Sequence, residues 1–170
     1  MNKYVFKPYD KIFPSLFEME KSRISNSLKV KYKIEHIGST AVPGLGGKAI
    51  IDIMIAVNRG MMKDALKTLE KIGYVYRPKA SNDEKIFLRI DLPDDVEQKR
   101  RYHMHLTYLG SSYWKTDRAF RDYLIKNPEF KQKYAKAKQN AAKRANGVKE
   151  KYQELKDPVF KEFIHSMKVD

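Results

Sequence analysis

Ile34-Glu35-His36-Ile37-Gly38-Ser39-Thr40-Ala41-Val42-Pro43-Gly44-Leu45-Gly46-Gly47-Lys48-Ala49-Ile50-Ile51-Asp52-Ile53 is the stretch on which the fold turns. Leading into it, Val30, Tyr32, Ile34 and His36 alternate with Lys31, Lys33, Glu35 and Ile37, the period of two that marks a β-strand. Four glycines then fall within ten residues, at 38, 44, 46 and 47, so the connection can take conformations closed to other residues. Ala49 to Val57 follows as a β-branched-rich apolar run, the composition of a central strand.

Upstream, Asp10 can cap a helix, and Phe13, Leu16, Phe17 and Ile24 recur at helical spacing, which predicts a helix over about 13–28 with Pro14 in its first turn. Downstream, Met62, Ala65, Leu66 and Leu69 mark a helix over 61–72, ended by Gly73. Residues 74–76 read as a short strand. Residues 85–92 and 102–109 read as two strands of an antiparallel hairpin joined by the charged segment 93–101. From Ser112 the pattern becomes helical: 117–126, then 129–144 after Asn127-Pro128, then 149–167 with a break expected at Asp157-Pro158. The expectation is an α+β fold forming one domain over 1–170. Its β-rich centre covers about 30–110, and a helical C-terminal part covers about 112–168.

The composition bounds the chemistry. There is no cysteine, which removes disulfides, thiolate metal sites and thiol catalysis, and fits a reducing, cytoplasmic setting. The longest apolar run, about nine residues and interrupted by Asp52, is too short to span a bilayer, and the N-terminus lacks the apolar core of a signal peptide. The balance of 35 basic to 21 acidic residues favours anionic partners such as nucleotides or nucleic acid, though a lysine-rich surface can also be simply solvated.

Three groups carry candidate chemistry. Gly38, Ser39 and Thr40 can offer backbone N–H groups and hydroxyls to phosphate oxygens, with Lys48 as a point charge; Asp52, on the next strand, can hold a divalent metal. A glycine-rich turn and an aspartate bonded to local backbone would look the same in sequence. His103 and His105 lie two apart on one strand and so share a face, a workable metal or proton-transfer pair, with His36 a possible third member. Arg121, near Arg118, can reach a phosphate or carboxylate bidentately, or form a structural ion pair. Between Lys131 and Lys151 eight basic residues meet one acidic residue; this reads as a solvated helical face, with nucleic-acid binding as the alternative.

The run from Ile34 to Leu45, continuing through Lys48 and Ile50-Ile51-Asp52-Ile53, resembles the signature of the GrpB family. His103-Met104-His105-Leu106 and Phe120-Arg121-Asp122-Tyr123-Leu124 resemble two further family blocks. The resemblance implies a nucleotidyltransferase-like fold of the polymerase-β superfamily type, a mixed sheet with flanking helices. It also implies a phosphate-bearing small ligand or nucleotide and Mg²⁺ or another divalent metal. On that reading Asp52, Glu35, His103 and His105 are the catalytic candidates, with Asp52 and the two histidines as metal ligands. Gly38, Ser39, Thr40, Lys48 and Arg121 are the ligand-binding candidates. The superfamily pattern places a second carboxylate two residues after the first; here that residue is Met54, and a thioether does not replace a hard oxygen ligand. A non-catalytic binding module on the same fold is therefore the competing expectation.

Overall fold

The computed structural model describes residues 5–167. Helix α1 (Phe13–Ser27) leads to strand β1 (Tyr32–Ile37), a single 3₁₀ turn at Ser39–Ala41, and strand β2 (Ile51–Val57). Helix α2 (Met62–Lys71), the two-residue strand β3 (Val75–Tyr76), and strands β4 (Lys85–Asp94) and β5 (Gln98–Tyr108) follow. Helices α3 (Ser112–Lys126), α4 (Pro128–Ala145) and α5 (Lys149–Ser166) complete the described chain. The five strands form one mixed sheet in the order β1-β2-β5-β4-β3, in which β2 and β5 run parallel and the other neighbours antiparallel. This is the α+β class expected, with flanking helices and a helical C-terminal part.

Strand alternation divides the sheet into two faces. On one, Ile51, Ile53, Ile55 and Val57 of β2 and Met104 and Leu106 of β5 are buried against Phe13, Phe17 and Ile24 of α1 and Met62, Ala65 and Leu69 of α2. On the other, Ile37, Met54 and Ala56 pack under Trp114 of α3. Asp52, His103 and His105 belong to this second face by their position in the ladder. Loop 38–50 is fastened to the C-terminal helices, because Val42 and Leu45 are buried with Leu124, Tyr134 and Val159. The backbone groups of Lys7 and Gly47 bond each other in both directions, at 2.7 and 2.9 Å, and tie the loop to the N-terminal segment.

Three boundaries differ from the sequence reading. The hairpin is longer, because the charged segment 93–101 is mostly strand. Opposite charges meet across its ladder, Asp91 directly opposite Arg101 (2.8 Å) and Asp94 diagonally with Arg100 (2.7 Å), and that pairing suits a strand as well as a loop. Helix α3 begins at Ser112, one turn early, because Ser111 caps it by accepting from the Trp114 amide. Helix α5 runs unbroken through Pro158. The missing proline N–H would have bonded the carbonyl of Glu154, which is solvent-exposed, while the adjacent Val159 and Phe163 are buried in the helical layer.

Candidate functional site

Asp52 sits one residue inside β2, where Ile51 and Ile53 turn into the core and leave the carboxylate facing the C-terminal helices. The parallel register sets it beside His103, with His105 next along β5. A single carboxylate oxygen, Asp52 Oδ1, lies 3.2 Å from His103 Nδ1 and 3.3 Å from His105 Nε2. One ligand atom from each of the three residues falls within 4.8 Å of the others. Two atoms bound about 2.0–2.1 Å from one ion at angles of about 90–109° stand roughly 2.9–3.4 Å apart, so these spacings suit a shared metal as well as hydrogen bonds. Burial raises the Asp52 carboxyl, but the hydrogen bonds and charges of His103 and His105 outweigh it and hold the group well below the usual carboxylate range. His105 Nδ1 is buried and makes no hydrogen bond.

Gly38 explains why the turn must begin as it does. Its φ is +74°, and a Cβ there would stand 2.6 Å from Asp52 Oδ2. The turn therefore lies directly against the carboxylate. Gly47 does the same for Ser39: a Cβ on Gly47 would meet Ser39 Oγ and Lys138 Nζ, each at 2.6 Å. The Ser39 hydroxyl and the Lys138 ammonium thus share one side of the Gly47 backbone.

Above the triad is a cleft of about 510 Å³ between the sheet and α4–α5. Its lining includes Gly38, Ser39, Asp52, His103 and His105, together with lysines 48, 85, 138, 149 and 156. Among the described residues that line it, Asp52 is the single acid. Lys138 is only 5% exposed, and its ammonium donates to the Gly46 carbonyl at 3.0 Å. Burial pushes it down to about 7, with Lys156 and Lys48 adding repulsion and Asp52 opposing them. Lys48 is lowered too, by burial first and then by Lys156, Lys149 and Arg101 against the pull of Asp52.

The structure gathers some candidates and separates others. Gly38, Ser39, Lys48, Asp52, His103 and His105 line one cleft. Glu35 faces the same side of the sheet but does not line it; its carboxylate accepts from Arg121 at 2.6 Å and approaches Arg118 at 3.4 Å. Arg121 also donates to the His36 carbonyl (2.9 Å) and to Asp122 (2.8 Å), so it clamps α3 onto β1 instead of reaching the cleft. Thr40 is buried at the turn's core, donating to the Ile50 carbonyl (3.1 Å) and bonding His36 Nε2 (2.9 Å).

His36 does not join the other histidines. It lies on the opposite face, stacked on Phe17 with ring centroids 4.7 Å apart, because the period of two puts it with Ile34 and not with Glu35. Met54, where a second carboxylate would stand, is fully buried beneath Trp114. The basic run in α4 is not one solvated face either: Lys138 points inward, Lys131 bonds the Pro43 carbonyl, and Lys133 pairs with Glu162.

Three contributors escaped sequence reasoning. Lys138 and Lys156 arrive from helices distant in sequence, and nothing in their spacing aims them at the cleft. Asp117 of α3, beside the cleft without lining it, is the third. Burial raises its carboxyl, with His105 and Lys85 the leading charges that oppose the rise. It falls one turn after Trp114, whose buried ring fixes the helix against this face, and that spacing was the available signal.

A mixed sheet whose Gly-Ser turn abuts a carboxylate, beneath a lysine-lined cleft roofed by C-terminal helices, defines an α+β protein built around one polar site. The family model for GrpB protein matches residues 3–166, and the chain belongs to the GrpB family. It is 34% identical over 156 residues to a UPF0157 protein of Pseudomonas aeruginosa, covering 89% of this chain and 62% of that one. A UPF0157 protein of Halalkalibacterium halodurans is 31% identical, covering 92% and 78%. The Glutamate-rich protein GrpB of Alkalihalophilus pseudofirmus is 30% identical, covering 89% and 88%. The chain thus spans less than two thirds of the Pseudomonas relative's length. The crystal structure of conserved protein GrpB from Enterococcus faecalis superposes with a TM-score of 0.73 at 26% identity, over 94% of this chain and 99% of that one. Among the described residues no helix is long and apolar enough to cross a membrane.

Proposed function

We propose that the cleft binds a phosphate-bearing small molecule, a nucleotide being the class that fits best, beside one divalent metal ion held by Asp52, His103 and His105. The observation that carries this reading is the combination of a three-ligand cluster with five lysines and a single acid in one cleft. A buried ammonium such as Lys138 is costly without a counter-charge, and a phosphate supplies one. Ser39 Oγ and Lys138 Nζ, set together over Gly47, hold the phosphate, and Gly38 keeps the turn close to Asp52. One carboxylate and two imidazoles suit Zn²⁺, Mn²⁺ or Fe²⁺ better than Mg²⁺, which prefers an all-oxygen shell. Such an ion, when bound, polarises a phosphoryl oxygen and lowers the pKa of bound water.

Standard two-metal nucleotidyl transfer lacks its second carboxylate, since Met54 is packed under Trp114. The favoured chemistry is therefore a one-metal reaction at a phosphate ester. Met54 equally favours a second reading, a binding module that retains the ligand without turning it over. Calorimetric titration of the purified chain with dATP, in Mn²⁺, in Zn²⁺ and with chelator, tests the shared claim. Metal-enhanced binding that is lost in Asp52→Asn and in Lys138→Gln supports it; equal binding by wild type and both variants sinks it. Phosphate release over hours of incubation then separates an enzyme from a binding module.

A further inference from the structure

Beside the cleft lies a second chamber of about 550 Å³, and the two share Lys48, Ile50, Ala80, Phe87, His103 and Lys149. The new walls come from β3, the turn after it, and the outer part of the hairpin: Tyr76, Arg77, Pro78, Lys79, Arg89 and Arg101. The register builds this chamber on the same sheet face as the triad. Arg89 stands directly across the ladder from His103, and Phe87 from His105. The Arg77 amide bonds the Phe87 carbonyl at 2.9 Å. The Phe87 ring makes edge contacts with both histidines, at 4.9 and 5.2 Å between centroids, and so forms the partition between the chambers.

The chamber's charge is one-sided. Among the described residues that line it there is no acid. Arg101 is held by Asp91 through two bonds of 2.8 and 3.0 Å. Neither Arg77 nor Arg89 is in an ion pair among the described residues. Arg89 is lowered by burial and then by the neighbouring charges of Arg101 and Arg77, which outweigh the pull of Asp91, itself already engaged by Arg101. Guanidinium forks of this kind suit a phosphate bidentately. Tyr76, Pro78 and Phe87 add the flat apolar surface on which a ring can lie.

We propose that the second chamber is a subsite of the same ligand, so that the ligand carries two separated phosphate groups. One lies against Lys138 and Ser39; the other, with an attached ring, lies against Arg77 and Arg89, and the Asp52–His103–His105 triad sits between them. The ligand is then a nucleotide bearing two phosphates apart from each other, not a mononucleotide. This rests on the phosphate-binding reading of the first cleft.

Calorimetry of the full chain with inorganic phosphate, dAMP, the 5′-phosphorylated dinucleotide pdApdA and a ten-nucleotide single strand tests it. The expected result is that pdApdA binds about tenfold or more tighter than dAMP, a gain of one bidentate phosphate contact. Arg77→Gln and Arg89→Gln, made singly and together, should remove the advantage of pdApdA over dAMP, whereas an advantage kept in every variant overturns the inference; the single variants preserve the test if the double variant folds poorly. Lys138→Gln should weaken both. Equal affinity for dAMP and pdApdA, with dAMP still sensitive to Lys138→Gln, overturns this inference alone. A further large gain with the ten-nucleotide strand overturns the two-chamber limit in favour of an extended nucleic-acid track. No binding of any probe overturns this inference together with the reading beneath it.

Discussion

Lowering the pH from 7.5 to 5.0 should cost this protein about 2 kcal/mol through one side chain, His36, on the face of the sheet away from the cleft. Its ring is stacked on Phe17 at 4.7 Å. Thr40 Oγ1 gives its only proton to the Ile50 carbonyl and therefore accepts from His36, which places a proton on Nε2. Burial is the main reason His36 is pushed down to about 4; Asp52 and Glu18 pull it up, and Arg121 pushes it further down. With an unfolded value near 6.5, the unfolded chain binds the extra proton between about pH 6.5 and 4 and the native state does not. The stabilisation is thus complete above pH 6.5 and is lost as the pH falls towards 4. A difference of about 1.5 units exercised by pH 5 is worth roughly 2 kcal/mol at 1.36 kcal/mol per unit. Urea unfolding of wild type and His36→Gln at both pH values isolates the contribution, because the carboxylates that titrate in the same range are common to both proteins. Wild type should lose about 2 kcal/mol more than the variant. Equal losses would refute the claim that His36 is held neutral between Phe17 and Thr40.

Three further outcomes follow from the same contacts. Gly38→Ala should destabilise by about 1–3 kcal/mol from backbone conformation alone, and should weaken metal binding as well, since its Cβ collides with Asp52 Oδ2; metal affinity equal to wild type by calorimetry would contradict the placement. Arg100→Met should cost about 3–5 kcal/mol in urea unfolding, because it strands Asp94, 4% exposed, without its partner; a loss under 1 kcal/mol would show that the pair is not a buried one. Lys138→Met should raise stability by about 1 kcal/mol or more at pH 7 while abolishing phosphate affinity, because it removes an ammonium that burial and the charges of Lys156 and Lys48 disfavour. That gain should shrink as the pH rises from about 7 towards 10.5, the interval in which the native lysine has already lost its proton and the unfolded one has not.

The period of two in 30–37 and 49–57 and the helical periods around them were enough to read the elements and the α+β class, because each buries a face that its own spacing defines. The same period placed Asp52 on one side of β2 and paired His103 with His105, so half of the site was legible. The period also settles His36, which shares a side with Ile34 and could have been assigned to the core face. The hairpin is legible but its length is not, because the Asp91–Arg101 and Asp94–Arg100 pairs are cross-strand, and local composition cannot show what a charge will meet. Lys138 and Lys156 were out of reach for another reason: their role comes from how α4 and α5 cross the sheet, set by Val42, Leu45, Tyr134 and Val159 in contacts between segments far apart in sequence. Glu35 reads in sequence as a catalytic candidate and Arg121 as a ligand-binding one, and they bind each other.

The most direct test of the account is calorimetric titration of the chain with Zn²⁺ and Mn²⁺, for wild type and for Asp52→Asn, His103→Ala and His105→Ala. One ion should bind per chain, should be lost or weakened at least about tenfold in each variant, and should raise the affinity for dATP. Metal binding that is unchanged in all three variants, or none at all alongside dATP binding that ignores added metal, would contradict the assignment of Asp52, His103 and His105 as the centre of the site.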